Sequence, residues 1–216
     1  VLVGGGSLTV RDSTISDSRA GYNPTYSSQG GGIFAGDGSR IAIGNSSIIG
    51  NYATGGGGGI DTGENVTVVV RSSQISDNRV YEGGAGGIGL SRGGLLILEG
   101  SKLLGNSGGY DSGGALGMYA STAVVTGSSI VSNSAGEAGG GISASRGRIV
   151  LSDSTVVGNS VDLWFRSQVY GGGISVQSNG SLSIQNTSIT GNRVGGEVQH
   201  CFGGGIFIHP DSRLSV

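Results

Sequence analysis

The chain repeats itself. The tetrapeptide "GGGI" stands at 30–33, 57–60, 139–142, 171–174 and 203–206, and the variants "AGGI" at 85–88 and "GGAL" at 113–116 fill the remaining places. Aligned on the last residue of each motif (Ile33, Ile60, Ile88, Leu116, Ile142, Ile174, Ile206), the period is 26 to 32 residues. A fixed period in that range signals a fold built by stacking one small unit on the next. Each unit continues in the same way. Ile174 is followed by Leu182-x-Ile184, Thr187-x-Ile189 and Asn192, and Ile60 by Val68-x-Val70, Ser73-x-Ile75 and Asn78.

These apolar-x-apolar triplets alternate with period two, which is the pattern of short strands with one buried face. No unit holds an apolar pattern long enough for a helix. Three short strands per unit predict an all-β chain, a right-handed parallel β-helix: a three-sheet solenoid of about eight coils of 26–32 residues. Inward Ile, Val and Leu should stack in columns. Ser46, Ser73, Ser101, Ser128 and Ser154 should point inward at a corner and bond its backbone. Asn51, Asn78, Asn106, Asn133, Asn159 and Asn192 should form a structural ladder, amide on amide, at another corner, where Asn tolerates left-handed backbone.

The glycine runs are not phosphate loops, because a nucleotide site of that kind needs a helix directly after the glycines. They precede the first strand of each coil, where a tight corner and close stacking of backbones favour a residue without a side chain. Gly is 48 of 216 residues and Pro only 2, without the every-third-residue Gly of collagen. Charged residues are 12% and the net charge is −2, which argues against a nucleic-acid partner. One cysteine, Cys201, supports neither a disulfide framework nor a zinc cluster within these residues. Neither a cofactor nor a metal is implied, no apolar run is long enough to span a membrane, and no signal-peptide pattern opens the chain. The 216 residues read as one β-helix domain, an internal segment of a longer chain.

The repeat resembles the right-handed β-helix repeats of polymorphic outer membrane proteins and related pectin-lyase-like surface β-helices. The residues that carry the resemblance are "IIGN" at 48–51, "LLGN" at 103–106, "VVGN" at 156–159 and "ITGN" at 189–192, each followed by the glycine motif. Aliphatic residues stand here where that family usually has Phe. The resemblance covers essentially the whole chain. It implies the architecture, and a place at a cell surface or outside the cell.

Inward positions are committed to packing, so function is expected on outer faces and in the links between coils. The link after Asn159 carries Asp162, Trp164, Phe165, Arg166 and Tyr170, and the link after Asn192 carries Glu197, His200 and Phe202. These belong to consecutive coils and should lie side by side, as a loop site for a partner or a glycan. Aromatic faces with polar neighbours suit sugar rings, and an acid with His200 could serve acid–base chemistry. The plainer alternative is that the aromatics cover the flank of the rod. A polysaccharide lyase or hydrolase would need several acids on one outer sheet face. The outer positions of the first strands supply only Asp61, so a catalytic site is not expected.

A second feature is an outward apolar stripe, Val69, Ile97, Val124 and Val150 on the second strands, with Leu104, Val131 and Val157 across the next corner. It is expected to be an interface with another chain or another part of the protein. Four N-glycosylation sequons begin at Asn45, Asn65, Asn179 and Asn186. The functional expectation is a non-catalytic extracellular or cell-surface rod, structural or adhesive, secreted or surface-attached. Its partners would be other protein chains or domains, with glycans as a second class. The alternative is a carbohydrate-binding or polysaccharide-degrading β-helix using the loops around Trp164 and His200.

Overall fold

The anchors of the repeat stack on one another. In the computed structural model, which describes residues 1–21, 28–110, 112–162, 168–196 and 200–216, Ile33 pairs with Ile60, then Ile88, Leu116, Ile142, Ile174 and Ile206 in one parallel sheet. The triplets that follow form a second eight-stranded sheet, and the Ser/Thr-x-apolar segments a third sheet of seven strands. All the strand pairings are parallel, each strand meeting its counterpart one coil away. The chain therefore winds as a β-solenoid of seven complete coils with an eighth begun. At about 4.8 Å per rung the eight-stranded sheets run roughly 34 Å.

The period-two pattern decides which side chains go inside. In the second sheet Val68 and Val70 are buried completely, while Thr67 and Val69 on the other face are half-buried. One apolar cluster runs the length of the solenoid, from Val10 to Leu182, through Ile33, Ile60, Leu96 and Ile142. Each such side chain contributes about 1.5–3 kcal/mol by leaving water, and every coil rests on the next.

Two side-chain ladders run beside this core. Each inward serine donates to the carbonyl two residues back (Ser73 Oγ to Arg71 O, 2.6 Å), and its oxygen accepts the serine N–H of the preceding coil (Ser46 N to Ser73 Oγ, 3.1 Å). The series begins at Ser13 and ends at Thr187. In the asparagine ladder the Oδ1 of Asn78, Asn106, Asn133, Asn159 and Asn192 each accepts two bonds from the preceding coil, while that of Asn51 accepts one, from Ser18 N. Asn106 Oδ1, for example, accepts both Asn78 N–H (3.1 Å) and Asn78 Nδ2 (3.0 Å). Asn51, Asn78, Asn106, Asn133 and Asn159 are almost wholly buried.

Three details correct the sequence reading. First, the ladder asparagines are not left-handed. The residue before each one is: Gly50, Asp77, Gly105, Ser132, Gly158 and Gly191 all have positive φ. A second left-handed column lies at the preceding corner and holds Asp12, Asn45, Ser72, Gly100, Gly127, Asp153 and Asn186. Asp12, Asp77 and Asp153 thus occupy corner positions that Asp, Asn and Gly tolerate best.

Second, six of the seven complete coils have a fourth strand, in the segment after the ladder residue. It is two or three residues long: Arg19–Ala20, Tyr52–Ala53, Arg79–Val80, Ser134–Ala135, Ser160–Asp162 and Arg193–Gly195. In the fourth coil only Ser107 takes part, bridging Arg79 to Ser134. The inward residue is Ala53, Val80, Ala135 or Val161, always two after the asparagine.

Third, the first glycine of the motif has positive φ at Gly30, Gly139, Gly171 and Gly203 but not at Gly57 or Gly113. The second and third glycines act through space. A Cβ on Gly58 would stand 2.5 Å from Gly86 O and 2.8 Å from Arg79 N, and one on Gly59 would stand 3.1 Å from Asn78 Cγ. The glycine motif and the asparagine ladder are therefore two sides of one contact.

Candidate functional site

The two long links do lie together. Gln168–Tyr170 and His200–Phe202 form a two-stranded parallel ladder, with Gln168 opposite His200 and Tyr170 opposite Phe202. Tyr170 stacks on Phe202 (5.5 Å between centroids, 13° between planes), and Phe207 joins them from the outer face of the first sheet, 4.5 Å from Tyr170. His200 lies 6.2 Å from Phe202 and is exposed. Val169, between the outward residues of this ladder, is buried with Ala135 and Val161 in a small second cluster, so the ladder is anchored to the rod. Asp162 is not at the aromatic patch. Its carboxylate accepts from Arg193 Nη2 at 2.9 Å, on the fourth strand column. Trp164, Phe165, Arg166 and Glu197 lie outside the described residues.

The aliphatic stripe is in register. Val69, Ile97, Val124 and Val150 pair in four successive coils, and Leu104, Val131 and Val157 in three. All seven are half-buried, each shielded on two sides by its neighbours in the stack. Ala42 and Ser183 end the first row. At its margin Arg71 pairs with Glu99 at 2.6 Å, and Thr126 bonds Ser152 at 3.1 Å.

The outer face of the first sheet contains the one acid that sequence reading places there. Asp61 is only 6% exposed although its side chain points outward. Glycine makes the room: a Cβ on Gly56 would come within 2.4 Å of its Oδ2, and one on Gly89 within 2.7 Å of its Oδ1. Burial raises its pKa to about 7, against the opposing effect of hydrogen bonds from the Gly57 and Thr62 backbones. Asp61 lies at one end of a cleft of about 270 Å³ floored by Gly89 and Gly117 and flanked by Ser112, Ser143 and Tyr119. Tyr119 Oη accepts from Arg146 Nη1 at 3.1 Å, and its ring has the Arg92 and Arg146 guanidinium groups within 6 Å. The burial of Asp61 had no clear sequence signal, because it depends on the glycines of two other segments.

Asp61 and the aromatic patch are five coils apart on this face, about 24 Å. They are separate features. The four sequon asparagines are all exposed and all have positive φ, Asn45 and Asn186 in the same corner column. Asn186 Nδ2 bonds Asp153 Oδ1 at 3.2 Å. Among the described residues no group of three or more His, Cys, Asp and Glu comes together to hold a metal, and no helix is long and apolar enough to cross a membrane.

The model of a right-handed beta helix region matches residues 1–213. The chain belongs to the right-handed beta-helix family. This supplies the handedness of the winding and agrees with the parallel register of every sheet. No curated protein and no solved structure matches the chain.

Proposed function

We propose that this right-handed β-helix is a non-catalytic rod of an extracellular or cell-surface protein, structural or adhesive, which assembles side by side with a second copy through its aliphatic flank. The observation that carries the reading is the register of Val69, Ile97, Val124 and Val150 beside Leu104, Val131 and Val157. Outward aliphatics repeated over four successive rungs in one row and three in the next build a flat apolar band, the kind of surface that another protein covers. The two buried ladders support a mechanical role, because each coil holds the next by side-chain as well as backbone bonds. The exposed sequons support passage through a secretory route. The test is Val124→Glu with Val131→Glu. Sedimentation should show an assembled wild type and a dispersed variant with unchanged β-sheet circular dichroism. A monomeric wild type, or assembly unaffected by the two charges, would remove the reading.

A carbohydrate-active role is the second reading, and the stacked Tyr170, Phe202 and Phe207 rings with His200 beside them are what favour it. Incubation with neutral and acidic polysaccharides, monitored for new reducing ends and unsaturated products, tests it. Phe202→Ala and Trp164→Ala are the variants that should remove any such activity.

A further inference from the structure

The fourth strand column has a gap. Following its register coil by coil, the outward positions that begin at Arg79 and Tyr81 continue as Ser107 and Gly109, then Ser134 and Gly136, then Ser160 and Asp162. Two successive coils thus present only Ser and Gly between a wall made by Arg79 and Tyr81 and a wall made by Asp162. Three rungs separate the walls, about 14 Å. Gly109 is required by the backbone, since a Cβ there would overlap Glu82 O. The result is a cavity of about 460 Å³ on the edge of the rod, within the size range of small-ligand sites.

Its lining is chemically mixed. Tyr81 and Tyr110 are 52% and 50% exposed, more than any other Tyr or Phe among the described residues. Arg79 is exposed on the same face as Tyr81, two residues away. Asp162 holds Arg193 at one end, and Ser107 and Ser134 line the floor. The backbone N–H groups here are engaged. Val80 N donates to Ser107 O, Gly108 N to Ser134 O, Ser134 N to Asn106 O and Gly136 N to Gly109 O. An extended peptide adding a strand needs free backbone partners, and the cavity lacks the donors for it. A nucleic acid needs several cations for its phosphates, and Arg193 is already paired with Asp162. What remains for a ligand is two phenol rings with apolar faces, side-chain donors and acceptors, and room. That combination fits a polyhydroxylated ring with one apolar face.

We propose that this cavity is a glycan-binding site, in which a sugar ring packs on Tyr81 and Tyr110 and its hydroxyls bond Arg79, Ser107, Ser134 and Asp162. The site shares no lining residue with the aliphatic flank or with the Tyr170–Phe202 patch.

The experiment is a glycan array of neutral and acidic oligosaccharides probed with the chain, followed by titration calorimetry on the best ligand. Tyr81→Ala and Tyr110→Ala should each weaken binding at least tenfold, and the double variant should abolish it. Gly44→Ala, remote from this cavity and with nothing within 4 Å of the added carbon, should bind like wild type, whereas binding lost in Phe202→Ala and kept in the double tyrosine variant would place the glycan on the aromatic patch and overturn the proposal. Both tyrosines lie on the surface, and circular dichroism of the variants checks that the rod is intact. A wild type that retains no glycan on the array, or a double tyrosine variant that binds as wild type does, overturns the proposal.

Discussion

Asn106 Oδ1 accepts both the backbone N–H and the side-chain amide of Asn78, one coil away, at 3.1 and 3.0 Å. Its own Nδ2 donates to Ile75 O and to Asn133 Oδ1. One side chain thus closes four bonds in a site that water does not reach. Asn106→Ala leaves the Asn78 N–H and the Ile75 carbonyl without these partners, and buried polar groups without partners cost about 1–3 kcal/mol each. The expected loss is about 2–4 kcal/mol, read from the urea midpoint. Asn192→Ala, at the half-buried end of the ladder, should cost less.

The ladder was legible in the sequence because its signal is repeated six times at fixed distance from an anchor. The same holds for the three main sheets. The fourth strand was not legible, since a two-residue strand with a single inward Ala53 or Val80 has no periodicity of its own. Its only mark is the small apolar residue two after each asparagine. Function was harder to read for a related reason. The repeat reports what every coil shares, whereas Asp61, Tyr119 and the Tyr81–Asp162 gap are each made by one coil departing from its neighbours. The departure becomes visible only when the coils are in register.

The glycines divide into two kinds that a substitution series separates. Gly58→Ala would place a Cβ against the Gly86 carbonyl and the Arg79 backbone, rigid atoms that cannot move without shifting two coils. It should prevent folding or lower the stability by several kcal/mol, in the range of a severe core defect, about 3–5 kcal/mol. Gly44→Ala has nothing within 4 Å of the new carbon and no positive φ. It should leave the thermal midpoint unchanged or slightly raised, because alanine restricts the unfolded chain.

Expression through a eukaryotic secretory route should add glycans at Asn45, Asn65 and Asn179, whose side chains are exposed at corners. Asn186 should be occupied less, because its amide nitrogen is held by Asp153. Intact-mass spectrometry before and after endoglycosidase treatment, with Asn→Gln variants at each position, checks this.

Asp61 gives the rod a pH dependence of defined sign. Its folded pKa is about 7 against an ordinary value of 3.8, because burial disfavours the charged carboxylate. Between these values the folded chain binds a proton that the unfolded chain has released, so unfolding free energy falls as pH rises. The stabilisation is complete below about pH 4, is lost progressively between about pH 4 and 7, and does not change further above that range. The full span corresponds to about 4 kcal/mol as an upper bound, at about 1.4 kcal/mol per pKa unit. Asp61→Asn keeps an oxygen to accept the Gly57 and Thr62 N–H groups and removes the ionisation. The variant should match wild type near pH 4, exceed it at pH 8, and show a flatter profile in urea titrations across the interval. A wild-type profile that rises from pH 4 to 7, or an Asp61→Asn profile with the same slope as wild type, would show that the carboxyl is ionised in the folded rod.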